Sequence, residues 1–297
     1  MPYINSDGVN LYYEEEGKGE AIIFCHEMTG DLRVWEQQIR HFARYYRCIV
    51  FNARGYAPSD IPTDSKSYSQ HQAADDVAGV LRALNVTNAH VVGLSMGAYT
   101  ALHFGVRHPT MARSLVVAGC GHGSARTAQE TWVQQANELA NKLDREGMKS
   151  VAEAYSHSPY RVQFRDKDRR GWAEWSGNLA KHNPEGLAMS VRRVQGTRPS
   201  VLDMEEDFKK MEIPVLLVAG DEDEPVLEMN LFMKRNIRTS GLIILPKTGH
   251  AVNSEEPTRF NLELADFFHK VELNRWNRRS DEAIYTEVWL PEEKQAA

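Results

Sequence analysis

The stretch "VVGLSMGAYTA" carries Gly93-Leu94-Ser95-Met96-Gly97, a G-x-S-x-G pattern set between an apolar run and a helical one. A serine at such a strand-to-helix bend sits in a strained backbone conformation, and the flanking glycines leave room for the neighbouring strand and helix. The start of the helix then offers free N–H groups and a positive dipole end to developing negative charge. A serine hydroxyl is a poor nucleophile at neutral pH and needs a base. With this pattern the partners are expected past the ends of later strands, acid first and histidine second. His250, in "LPKTGHAVNSEEP", is the one histidine of 11 that follows a late apolar run in a glycine-containing loop. The acid lies in "LLVAGDEDEP", where Asp221, Glu222, Asp223 and Glu224 all stand just past the run, and the residues alone leave that choice open.

A second candidate group is "HEMTG", His26 to Gly30. The zinc-protease motif H-E-x-x-H needs a second histidine one helical turn on, and that position is Gly30, so no metal is expected there. His26 competes with His250 as the base but precedes the serine. His122, just past "SLVVAGC", stands where it could reach the mouth of a pocket.

The elements that must hold these residues are visible as patterns. "AIIFC", "RCIVF", "HVVGL", "SLVVAG", "IPVLLVAG" and "GLIILP" are short, apolar and largely β-branched, which fits strands covered on both faces in a parallel sheet. "VNLYYEEE" alternates as a half-exposed strand does. Between them "LRVWEQQIRHFARYY", "SQHQAADDVAGVLRALN", "MGAYTALHFGVRHP", "PVLEMNLFMKRN" and "EPTRFNLELADFFHKV" repeat apolar residues at helical intervals. Strand alternating with helix predicts a doubly wound α/β sheet. From Gly121 to about Glu205 the rhythm breaks into polar helical pattern with Trp132, Tyr155, Tyr160, Trp172 and Trp175, which reads as a helical insertion. The expected organisation is a core of residues 1–120 and 206–270, a helical cap over 121–205, and an extension over 271–297.

Composition bounds the function. The chain has 297 residues, 42% apolar and 26% charged, the balance of an ordinary globular protein able to bury a large core. A net charge of -6 gives no global attraction to nucleic acid or an anionic membrane. Cys25, Cys48 and Cys120 form no CxxC pair, which fits a reducing compartment. The N-terminal stretch has neither a basic nor an apolar signal region, and no run approaches the roughly 18 apolar residues of a membrane span, so a cytoplasmic location is expected.

Taken together, Ser95, the acidic loop and His250 resemble the α/β-hydrolase superfamily over residues 1 to about 270. "FNARGYAPSD", "DDVAGVLRALNVTNAHVVGLSMGAYTALHFGVRHP" and "PKTGHAVNSEEPTRFNLELADFF" look like its bacterial branch of enol-lactone hydrolases, carboxylesterases and meta-cleavage hydrolases. The resemblance implies a mostly parallel eight-stranded sheet with a helical cap, and a triad of Ser95, Asp223 and His250, with Asp221 the alternative acid. It also implies an oxyanion hole from the backbone N–H groups of Met28 and Met96. Glu27 departs from the family pattern, which has glycine there. An ionised Glu27 facing the oxyanion would oppose the chemistry, so it is expected to turn away onto Arg54 or Arg33, or else to bind a cationic or hydroxylated part of the substrate. His26, His122 and Trp172 are further candidates for substrate contact.

The implied reaction is hydrolysis of a carboxylic ester or lactone through an acyl-enzyme, with no metal or organic cofactor. Two alternatives stand beside it: hydrolysis of a carbon–carbon bond in a ring-fission diketone, and a non-catalytic receptor or scaffold that keeps the fold. The tail "DEAIYTEVWLP" alternates like an exposed strand and is expected to pack on a second subunit in a homo-oligomer, or to wrap on its own domain.

Overall fold

In the computed structural model residues 2–283 are described. Eight strands form one sheet: β1 (Tyr3–Ser6), β2 (Val9–Glu16), β3 (Ala21–Cys25), β4 (Arg47–Phe51), β5 (Ala89–Leu94), β6 (Ala112–Ala118), β7 (Val215–Gly220) and β8 (Ser240–Leu245). Their order across the sheet is β1-β2-β4-β3-β5-β6-β7-β8, and only the β1–β2 and β2–β4 pairs are antiparallel.

The apolar runs are continuous because both faces are covered. In β3, Ile23 and Cys25 project into one buried cluster with Val77, Leu81, Leu102 and Phe104. Ile22 and Phe24 project into the other, with Trp35, Phe260, Leu264 and Phe268. Helices α1 (Glu36–Phe42), α2 (Gln70–Ala83) and α3 (Met96–Arg107) lie between the first strands. Ser69 starts α2 by accepting a hydrogen bond from Gln72 N–H, and Asn85, at φ 56°, turns the chain after it.

Between β6 and β7 the chain forms α4 (Gln129–Ser156), α5 (Val162–Lys167), α6 (Arg169–Leu179), α7 (Pro184–Ser190) and α8 (Glu205–Lys210). Leu143, Val151, Phe164, Trp175, Leu187 and Val191 form a third apolar cluster that sits on Tyr56, Tyr68 and Met96 of the core. Val201, Met204 and Phe208 already belong to a sheet cluster, so the chain returns to the core a little before residue 205. Helices α9 (Glu224–Asn236), α10 (Val252–Glu255) and α11 (Pro257–Glu272) complete the layers. Of the alternating stretch Asp281 to Pro291, expected at an interface, residues 284–291 lie outside the described residues.

The topology decides where chemistry can occur. The parallel registers Leu94↔Ala118 and Gly220↔Leu245 bring the carboxyl ends of β5 to β8 to one edge. Ser95, His122, Asp223 and His250 all lie just beyond those ends.

Candidate active site

Ser95 has φ 54° and ψ −111°, the left-handed side of backbone space that a non-glycine residue adopts only at a cost of about 1–3 kcal/mol. Surrounding structure holds it there: its N–H donates to Ala118 O at 2.8 Å, and α3 begins at the next residue. A Cβ on Gly93 would lie 2.0 Å from Gly97 O, and one on Gly97 would lie 2.0 Å from Cys25 O. Both glycines are therefore required by the bend, and the serine is left at the opening of a cavity.

That cavity measures ≈ 140 Å³. Ser95, Met28, His122 and His250 wall it from the core, and Trp132, Tyr155 and Tyr160 from the helical segment above. Met28 N–H and Met96 N–H donate to no group among the described residues, and Met96 is the first residue of α3, where no intrahelical acceptor exists. One of these uncommitted donors adjoins the serine, and the other belongs to a residue that borders the same cavity.

His250 Nδ1 lies 2.6 Å from Asp223 Oδ2. Both groups are buried, His250 at 4% exposure and Asp223 at 3%. Burial raises the Asp223 pKa, but the charge of His250 and hydrogen bonds from His122 and His250 outweigh it and hold the carboxyl well below its usual range. For His250, burial favours the neutral ring, yet the Asp223 charge and hydrogen bond leave the net shift upward. Asp221 is occupied elsewhere, accepting from Thr248 N–H at 3.1 Å, and Glu222 faces Gln163 and Lys247. Of the four acids in that loop, Asp223 is the one on His250.

Two residues at this site have partners that sequence patterns do not resolve. Glu255, buried at 5% exposure, accepts Gly249 N–H at 2.5 Å and Ala251 N–H at 3.0 Å, clamping the backbone on both sides of His250. Burial raises its pKa, against those two N–H groups, which lower it. His122, for its part, puts Nε2 2.8 Å from the second oxygen of Asp223, and its ring packs edge-on against His250 with centroids 4.8 Å apart.

His122, Asp223 and His250 bring three metal-binding atoms within 4.8 Å of one another. Tetrahedral ligands with bonds near 2.0–2.1 Å sit about 3.3 Å apart. The nitrogen–oxygen separations here, 2.6 and 2.8 Å, are those of direct hydrogen bonds, so the arrangement is that of a donor–acceptor chain.

The match to known proteins is decided over residues 20–257, which fit the family model described as alpha/beta hydrolase fold. The chain belongs to the α/β-hydrolase fold family. Among its relatives, a putative 2-succinyl-6-hydroxy-2,4-cyclohexadiene-1-carboxylate synthase of Bacillus subtilis is 26% identical, over 90% of this chain and 97% of the relative. A 3-oxoadipate enol-lactonase of Acinetobacter baylyi is 25% identical, over 86% and 92%. A thermophilic esterase of Thermogutta terrifontis, with malate bound, superposes with a TM-score of 0.80 at 22% identity, covering 91% of this chain and 98% of the esterase.

Within this α/β-hydrolase the departure at Glu27 has a different partner from either one expected. Arg54 is committed to Asp76, with contacts of 2.6 and 2.7 Å, and Arg33 to Asp31. Glu27 pairs instead with Arg161, on the helical segment above. Arg161 is 0% exposed, donates to Thr29 Oγ1 at 2.9 Å and lies 4.3 Å above the Trp175 ring. Glu27 borders both the Ser95 cavity and an outer cleft of ≈ 520 Å³ that Arg161 also lines, so the pair forms part of the partition between them.

Two other expectations are corrected. His26 does not line the Ser95 cavity: its Nδ1 faces Glu27 O at 2.7 Å and its Nε2 accepts Ala53 N–H at 3.0 Å, which ties two loops of the core together. Trp172 donates its indole N–H to Ser156 O at 2.9 Å inside the helical segment, whereas Trp132 walls the cavity. All three cysteines are free and buried, and burial pushes each thiol up to about 12.

Proposed function

We propose that this α/β-hydrolase is a serine hydrolase of compact carboxylic esters or lactones, with Ser95 as nucleophile, His250 as base and Asp223 as the acid that orients it. The observation that carries the reading is the 2.6 Å contact of Asp223 with His250 Nδ1, in a site whose cavity is also walled by a serine held at positive φ. A proton on Nδ1 directed to the carboxylate leaves Nε2 as the basic atom.

In the proposed sequence His250 Nε2 takes the Ser95 hydroxyl proton as Oγ attacks the carbonyl carbon. The oxyanion that forms is met by the N–H groups of Met28 and Met96, each such donor being worth about 3 kcal/mol of barrier. Collapse breaks the acyl–oxygen bond, His250 returns its proton to the leaving oxygen, and a water deprotonated by His250 releases the acid. No metal or organic cofactor takes part.

A cavity of ≈ 140 Å³ is small beside the roughly 300–1,000 Å³ of sites for drug-sized ligands, which favours short acyl groups or small rings. An enol-lactonase relative and an esterase of the same fold agree with oxygen-ester chemistry. The test is turnover of p-nitrophenyl esters from acetate to dodecanoate, a set of lactones, and ring-fission diketones. Hydrolysis that falls steeply with acyl length, or that prefers lactones, is the expected result. Turnover of the diketones alone would replace this reading with carbon–carbon bond hydrolysis.

A further inference from the structure

Asp223 has two carboxylate oxygens, and each meets an imidazole: Oδ2 meets His250 Nδ1 at 2.6 Å, Oδ1 meets His122 Nε2 at 2.8 Å. An imidazole nitrogen this close to a carboxylate oxygen carries a proton, since two lone pairs would repel. His122 is therefore held with Nε2–H toward Asp223. Burial holds its pKa down, the Asp223 bond opposes that, and the charge of His250 lowers it further, so the ring acts as a neutral donor.

We propose that His122 is a positioning residue for the triad, fixing Asp223 through one oxygen so that the other stays in line with His250. The inference rests on the serine-hydrolase reading above. Its physical basis is that a carboxylate torsion has a broad two-fold profile, so one hydrogen bond leaves the group free to swing while two opposed bonds fix it. The fold supplies rigidity on the other side as well. Arg198 Nη2 donates to His122 O at 2.6 Å while its guanidinium lies 3.9 Å over Tyr99 and 4.6 Å over Trp132. Tyr160 packs edge-on against the His122 ring at 4.9 Å. The other charges acting on the three groups are Arg161 and Glu27, near His250, and Arg198, near His122.

A hydrogen bond to a charged acceptor stabilises that charge, so His122 also draws negative character away from the His250 side. Removing the donor leaves more of it facing the imidazolium and raises the pH at which His250 loses its proton. The test compares His122→Phe, which keeps a ring and removes the donor, with His122→Gln, whose amide can still donate to Asp223. The readout is the rate of Ser95 modification by a fluorophosphonate as a function of pH, with p-nitrophenyl acetate turnover in parallel. Melting curves check that each variant is folded.

The expected result for His122→Phe is a fall in modification rate and kcat of about 10- to 100-fold, the size of one hydrogen bond to a charged group, with KM little changed and the acid limb moved to higher pH. His122→Gln should recover most of both effects. Parent-like rates and limb in His122→Phe would overturn the inference, as would equal losses in the two variants, which would mean that packing alone matters. A parent protein whose Ser95 does not react would instead remove the serine-hydrolase reading, and this inference with it.

Discussion

Arg161→Met removes a guanidinium that is 0% exposed and leaves the Glu27 carboxylate, 4% exposed, without its partner. Stranding one charge of a buried pair costs about 3–5 kcal/mol, whereas replacing both charges by neutral groups of similar shape is often close to neutral. The aromatic contact over Trp175, at 4.3 Å, is lost whenever Arg161 is changed and is worth up to about 2 kcal/mol when desolvated. The stranded charge in Arg161→Met should therefore lower the melting temperature by roughly 6–20 °C, at about 2–4 °C per kcal/mol, on top of the lost aromatic contact. The double variant Glu27→Gln/Arg161→Met should recover more than half of that loss and retain only the deficit of the aromatic contact. The assay is thermal unfolding of the parent, both single variants and the double variant, read as a double-mutant cycle. If Arg161→Met and the double variant melt at the same temperature, the carboxylate was not dependent on its partner and the reasoning is wrong. Because Arg161 is on the segment above the cavity and Glu27 on the loop that carries Met28, the same cycle measures how firmly those two parts are joined.

Three further outcomes follow from the site. His250 must be neutral to accept the serine proton, and its net pKa shift is upward, so kcat/KM should fall on the acid side with a midpoint above the usual histidine value of about 6.5; a midpoint near 5 would contradict the Asp223 contact. Asp223→Asn should keep the fold but lower kcat by roughly 10⁴-fold, because the ring then loses its preferred tautomer; a loss under tenfold in ester turnover would place the acid elsewhere. Glu255→Gln loses one of two carboxylate oxygens that accept the N–H groups of Gly249 and Ala251. It should lower kcat about tenfold with KM unchanged, as expected for one charge-assisted bond, and parent-like kcat would show that the His250 loop needs no such clamp.

The strands β3 to β7 are legible in the sequence because burial on both faces leaves continuous apolar runs, β2 through its alternation and β8 as an apolar run at the sheet edge, and the bend at Ser95 is legible because only glycine fits on either side of it. The strand β1 leaves no such mark: Tyr3–Ser6 is four residues long, with only Ile4 and Ser6 inward, too short for a period to register. The helical character of the segment between β6 and β7 is legible, but which aromatics face the cavity is not. That depends on how α4 and α6 are rotated against the core, and local periodicity cannot tell Trp132 from Trp172 in this respect. The partner of Glu27 is 134 residues away along the chain, a pairing no local pattern marks, while Arg54 and Arg33 are held by Asp76 and Asp31. His122 is legible only as a residue just past a strand end, and Glu255, at the end of α10, is not marked at all; what they bond to is a matter of tertiary geometry.

The claim on which the rest depends is that Ser95 is made nucleophilic by His250. Incubation with a fluorophosphonate, followed by intact-mass analysis and peptide mapping of the parent, Ser95→Ala and His250→Ala, tests it directly. The account predicts a single adduct on Ser95 of the parent, none in Ser95→Ala, and modification slowed at least about 100-fold in His250→Ala. An unmodified Ser95, or equal rates with and without the imidazole, would contradict it.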